Sequence, residues 1–151
     1  MTASTRLREL GITLPPVATP AGAYVPAKRS GSYVYTSGQL PVVDGSPAGV
    51  GKVGAEVTVE QGYDLARISV LNALAAVDAL VGIDNVTSVV KVVGFVASAP
   101  GFTAQPKVVN GASELLGEIF GEAGKHARSA VGVAELPLGL PVEVELVVEV
   151  A

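Results

Sequence analysis

The sequence predicts an α+β fold: a single mixed sheet carrying two helices on one of its faces. Three observations lead there. The closing stretch PVEVELVVEV (141–150) has apolar residues at every even position from 142 to 150, with Glu143, Glu145 and Glu149 on the opposite side. That is the period-2 signature of a half-buried strand. A long helix carries its own punctuation, with Thr58 and Gln61 as a capping box and Gly82 as a C-terminal stop. The elements follow the order β-β-α-β-α-β-β, with hairpins at both ends, which segregates the helices to one face.

Each element has a local reason. Residues 4–10, STRLREL, read as a short amphipathic helix that Gly11 stops. TLPPVATPAG (13–22) is too rich in proline for a helix and reads as an extended arm lying on the surface. YVPAKRSGSYVYTSGQ (24–39) reads as a hairpin of two short strands around Ser30-Gly31. Residues 41–55, rich in Gly and Pro, form a loop with room for one irregular strand. In the long helix, 59–81, the apolar residues Leu65, Ala66, Ile68, Leu71, Leu74, Ala75 and Val77 cover more than one stripe, so broad cover is expected. NVTSVVKVVGFVAS (85–98) is a β-branched strand, and a second helix runs over 106–120 with Gly121 behind it. Two strands, 127–136 and 141–150, close the chain around a PLG connection.

The 151 residues make one domain, 1–151, in which 1–22 is the helix and arm. Apolar residues are 49% of the total and charged ones only 16%, against about a quarter in ordinary soluble domains. That shortage predicts that oligomerisation hides further surface. A net charge of −4 with ten scattered Lys and Arg excludes a general nucleic-acid binder, which needs clustered cations. The absence of cysteine excludes disulfides, thiolate metal sites and a cysteine nucleophile, and suits a reducing cytoplasm. Arg6 and Arg8 precede an uncharged stretch from Leu10 to Ala27, but Glu9 and Pro15, Pro16, Pro20 and Pro26 spoil a signal helix or a membrane span. A cytoplasmic protein without membrane attachment is expected.

Three motifs have bland readings. GVGKVG (49–54) lacks the phosphate-loop pattern, because Ser46 takes the first glycine position and Val53 the hydroxyl position. No Gly-x-Ser-x-Gly elbow presents a serine to His126, the only histidine. One imidazole, no thiols and dispersed carboxylates make no metal ligand set, so His126 reads as a satisfied strand-end residue. HARSAVGVAELP (126–137) differs, since it heads an apolar, β-branched run with a guanidinium. His126 and Arg128 share a strand face, and Arg128 must lie at an exposed edge or against a partner. Two roles fit: an ion pair with a glutamate of the last strand, or a planar fork taking a ligand carboxylate through two hydrogen bonds. The residues alone leave both open.

SGQLP (37–41) after the hairpin, FV (95–96), VNG (109–111) opening a helix, ARSAVGVAELP (127–137) and VEVE (142–145) follow in order and spacing. Together they resemble the RidA/YjgF family, also labelled endoribonuclease L-PSP or imine deaminase, over residues 20–150. The resemblance implies a chorismate mutase-like fold and a homotrimer, three sheets forming a barrel with three clefts between subunits. It also implies a reaction without metal or organic cofactor: hydrolysis of reactive enamines and imines of α-keto acids, such as 2-aminoacrylate, to keto acid and ammonia.

Carried across residue by residue, the family's arginine falls on Arg128, which would hold the substrate carboxylate. Its glutamate falls on Glu143, which would position or activate water. Its tyrosine, fourteen residues before the SGQ glycine, falls on Tyr24, and that glycine is Gly38, which would border the substrate. Its asparagine falls on Asn110, and the Ala130 backbone would help hold ligand and water. Paired loosely with the arginine, Glu143 is expected to stay ionised at neutral pH. The chain departs from the family in having Ala130 where many deaminating members have cysteine, in a longer 103–109 segment and in a longer N-terminal arm. It reads as a divergent branch. The competing class is a non-catalytic trimer binding small carboxylate-bearing metabolites in the same clefts. A ribonuclease is disfavoured because the acidic chain lacks a basic, aromatic-bearing groove.

Overall fold

The computed structural model describes residues 1–151. Its elements are α1 (Ala3–Glu9), β1 (Ala27–Ser30), β2 (Tyr33–Thr36), β3 (Val42–Val43), β4 (Ser46–Pro47), α2 (Val59–Val81), β5 (Val86–Ala97), α3 (Gln105–Phe120), β6 (Ala127–Val133) and β7 (Val142–Val150). The main sheet has the order β1-β2-β7-β5-β6. The last strand inserts between β2 and β5, antiparallel to both, while β5 and β6 run parallel with α3 as their crossover.

Alternation along β7 sets the layers. Val142, Val144, Leu146, Val148 and Val150 are buried beneath the helices with Val89, Val92 and Val96 of β5. Each such side chain stabilises the fold by about 1.5–3 kcal/mol. Glu143, Glu145, Val147 and Glu149 point the other way, beside Tyr33, Tyr35, Lys91, Val93 and Phe95 across the ladder. No element of the chain covers that second face.

The capping box at Thr58 and Gln61 and the Gly82 stop are both present. Several expectations need correction. The 41–55 segment carries not one irregular strand but the β3–β4 ribbon, because Asp44 and Gly45 both take positive φ (50° and 80°) in a two-residue turn. β6 stops at Val133 rather than 136, since its only neighbour β5 ends at Ala97, the partner of Val133. The first hairpin's paired strands begin at Ala27, not 24, and turn through Gly31-Ser32. The helical layer gains a third member: α1 buries Leu7 in the core, and Ser4 donates from its amide (2.7 Å) and hydroxyl (2.6 Å) to the Asp84 carboxylate. No helix is long and apolar enough to cross a membrane.

Candidate functional site

Pro106, Asn110 and Ser113 are spaced i, i+4, i+7 on α3 and therefore form one stripe. That stripe faces Arg128 on the edge strand β6. Arg128 Nη1 donates to Asn110 Oδ1 (2.8 Å) and to Ser113 Oγ (3.2 Å), and Nη2 reaches the Pro106 carbonyl at 3.5 Å. Both Nη1 hydrogens are thus committed, whereas Nε has no protein partner. A guanidinium carries five donors in a fixed fork, so the Nε–Nη2 edge remains for a ligand. The ion-pair role left open by the sequence is not the one found: no carboxylate contacts Arg128 and all three of its acceptors are neutral.

The VNG motif builds this arrangement one residue at a time. Val109 fills the space left by Gly94 of β5, seating α3 on the sheet. Asn110 meets Arg128. Gly111 brings α3 against α2, where a Cβ would lie 2.0 Å from the Tyr63 carbonyl oxygen. Sequence reasoning missed Ser113, whose signal was its spacing from Asn110 on the same face. His126, just before β6, is satisfied as expected: its Nε2 meets Ser113 Oγ at 2.8 Å and its Nδ1 the Gly124 carbonyl.

Glu143 occupies a separate place. Thr36 Oγ1 accepts from the Leu146 amide (2.9 Å), and Gln39 rejoins the ladder opposite Val144. Between these points the 36–39 segment holds one residue more than the register allows, a bulge. Gly38 stands in that bulge under the Glu143 carboxyl, and a Cβ there would lie 2.1 Å from Oε1. The glycine therefore makes room for the glutamate. No cation accompanies Glu143. Burial first, and the neighbouring charge of Glu145 second, push its pKa above the ordinary carboxylate value. The expectation that an arginine holds Glu143 ionised is accordingly corrected for the single chain.

Within one chain the candidate residues do not converge. Arg128 pairs with Val92 on the helix-bearing face, while Glu143 pairs with Phe95 on the open face. They stand three residues apart along the strands and two strands apart across them, about 10 Å in each direction, on opposite sides of the sheet. Ala130 lies opposite Gly94 and packs on the core beside Arg128. Tyr24 is half exposed and lines, with Gly38, a cavity of about 630 Å³ between the proline-rich arm and Ile68, Leu71 and Asn72 of α2. Arg128, Asn110 and Glu143 do not reach that cavity. No group of three His, Cys, Asp or Glu side chains is placed to hold a metal ion.

Known proteins resemble the chain over nine-tenths of its length or more. Protein TCP17 of Trypanosoma cruzi is 47% identical over 145 residues, covering 95% of this chain and 91% of that one. The crystal structure of Atu1372, a protein of unknown function from Agrobacterium tumefaciens, matches with a TM-score of 0.89 at 42% identity, over 99% of this chain and 92% of the other. E. coli TdcF with bound serine matches with a TM-score of 0.66 at 28% identity, over 91% and 94% of the two chains. Residues 4–150 match a family described as YjgF/chorismate mutase-like, a supposed endoribonuclease. With the fold, the ordered motifs and this match in agreement, the chain belongs to the YjgF/chorismate mutase-like family.

Proposed function

We propose that the protein is a homotrimer whose inter-subunit clefts hydrolyse reactive enamines and imines of small α-keto acids. The observation that carries the reading is the half-buried Arg128, braced by neutral acceptors with Nε and one Nη2 hydrogen left uncommitted. A planar fork without a carboxylate of its own suits a carboxylate ligand. The serine held by TdcF is a ligand of that kind. Opposite faces of one sheet cannot close on a small molecule, so the reading takes Arg128 from one copy and Glu143 from the next. The apolar residues of the open face agree, because a trimer buries them.

In this scheme 2-aminoacrylate tautomerises to 2-iminopropanoate, whose carboxylate docks on Arg128. Glu143 accepts a proton from water as the oxygen bonds to the imine carbon, forming a carbinolamine. Glu143 returns that proton to the nitrogen, so the carbinolamine carries OH and NH2. The carboxylate then takes the hydroxyl proton and passes it to the nitrogen as the C–N bond breaks, so that ammonia leaves and the oxygen remains as the keto group of pyruvate. Placing water and carboxylate in one cleft supplies proximity, and a carboxylate of raised pKa is a better proton acceptor. The test generates 2-aminoacrylate from serine with a dehydratase and follows pyruvate release, with light scattering to check for a particle of about three times 15.2 kDa. Faster release with the protein present is expected. Unchanged kinetics across a series of imino acids, with pyruvate still bound, favours a non-catalytic carboxylate-binding trimer. A monomer at micromolar concentration defeats the shared cleft.

A further inference from the structure

The brace on Arg128 continues beyond Ser113. His126 Nε2 lies 2.8 Å from Ser113 Oγ, and His126 Nδ1 lies 2.6 Å from the Gly124 carbonyl oxygen. A carbonyl only accepts, so the hydrogen on this side sits on Nδ1. In the Nδ1–H tautomer Nε2 offers its lone pair to the Ser113 hydroxyl, whose oxygen remains free to accept from Arg128 Nη1 (3.2 Å). The chain of donation runs from Arg128 to Ser113 to His126, and separately from His126 to Gly124. Asn110 takes the other Nη1 hydrogen at 2.8 Å, and its amide must present oxygen because a guanidinium accepts nothing.

We infer that His126 and Ser113 are positioning residues for the carboxylate site, resting on the reading of Arg128 as the anchor. By fixing the serine rotor, the imidazole turns an ambivalent hydroxyl into an acceptor aimed at Nη1. With both Nη1 hydrogens spent, the guanidinium presents its Nε–Nη2 edge, and the carboxylate binds side-on across these two nitrogens. Without the imidazole the Ser113 hydroxyl turns freely, Nη1 loses a defined partner and the fork swings on its three-carbon stem. A residue two positions before Arg128 thereby sets the pose of the anchor from three converging elements: α3, the Gly121–Gly124 turn and β6.

The chain has one histidine, so its imidazole nitrogen signals belong to His126 alone. Long-range proton–nitrogen correlation on labelled protein should show the Nδ1–H tautomer with Nε2 as an acceptor. Saturating pyruvate should shift these signals in the wild type but not in Ser113→Ala. Calorimetry with pyruvate should show binding weakened about five- to tenfold in Ser113→Ala and His126→Leu, the range of one hydrogen bond. Ser113→Thr and His126→Gln, which keep a hydroxyl and an acceptor, should recover most of the affinity. An Nε2–H tautomer, or wild-type affinity in both disruptive variants, overturns the inference while leaving the anchor role intact. Failure of the wild type to take up pyruvate overturns the anchor role and this inference together.

Discussion

At the scale of single residues, the site consists of side chains kept from their ordinary partners. Arg128 has neutral acceptors where an ion pair was an open alternative, and Arg128→Lys removes the fork while keeping the charge. Pyruvate affinity measured by calorimetry should fall by about 1.5–3 kcal/mol, the value of hydrogen bonds to a charged group. Glu143 has no cation within its own chain, and the raised pKa it has there gives opposite signs for stability and activity. For an acid whose folded pKa lies above its unfolded one, stability is fullest below the unfolded value and is lost as pH rises through the folded value. Glu143→Gln should therefore raise the melting temperature at pH 7, with the difference closing near about pH 4, while hydrolysis is lost. Gly38→Ala should preserve the fold, because its Cβ meets only the end of the Glu143 side chain, yet abolish the reaction by displacing that carboxyl. Arg128 stood out in the sequence as a guanidinium heading an apolar, β-branched run, whereas Glu143 was one of three glutamates on an alternating face and was singled out only by the family resemblance. Gly38 was legible as a motif but not in its role, since space for a side chain two strands' pairing away leaves no local pattern. Ser113 was invisible for a similar reason, as a serine inside a helix acquires meaning only when its face is known to meet Arg128.

Elements were read well where one face is buried and poorly where tertiary pairing decides. The 59–81 helix and the last strand carried capping and alternation signals that survive intact. The Asp44-Gly45 turn was present in the sequence, but two-residue strands are too short to show a period. The end of β6 depends on where β5 stops pairing, which no property of residues 134–136 announces. The seat of α3 on α2 at Gly111 is the contact on which the Arg128 brace depends. Gly111→Ala would drive a methyl into the Tyr63 backbone, which yields less readily than a side chain. It should cost about 1–3 kcal/mol of stability, read as a fall in melting temperature of about 3–10 °C, with weaker pyruvate binding as Asn110 shifts. The clasp on α1 has its own pH dependence. The hydroxyl and amide of Ser4 hold the Asp84 pKa below its ordinary value. This contribution is present above the unfolded carboxylate pKa and lost as pH falls through the lower folded one. Asp84→Asn at neutral pH should thus loosen α1, seen as faster tryptic cleavage after Arg6 and Arg8, and wild-type α1 should loosen likewise only in acid.

At the scale of the molecule, a sheet with one face packed and the other uncovered leaves its two chemical groups on opposite sides. Low charge content led to the expectation of an oligomer and the resemblance implied clefts between subunits, but that Arg128 and Glu143 stand on opposite faces of one sheet emerges only once register and strand order are known. If Arg128 of one copy and Glu143 of another work in a single cleft, subunits that each lack one of the two groups should complement each other on mixing. Arg128→Ala and Glu143→Gln proteins, each inactive alone, are co-refolded in equal amounts and assayed for pyruvate release from 2-aminoacrylate. In randomly mixed closed rings, a cleft is intact when its arginine comes from the Glu143→Gln subunit and its glutamate from the Arg128→Ala subunit, which occurs in about a quarter of clefts. Recovery of about a quarter of wild-type activity is the result expected, and mixed trimers as inactive as either parent would contradict the account.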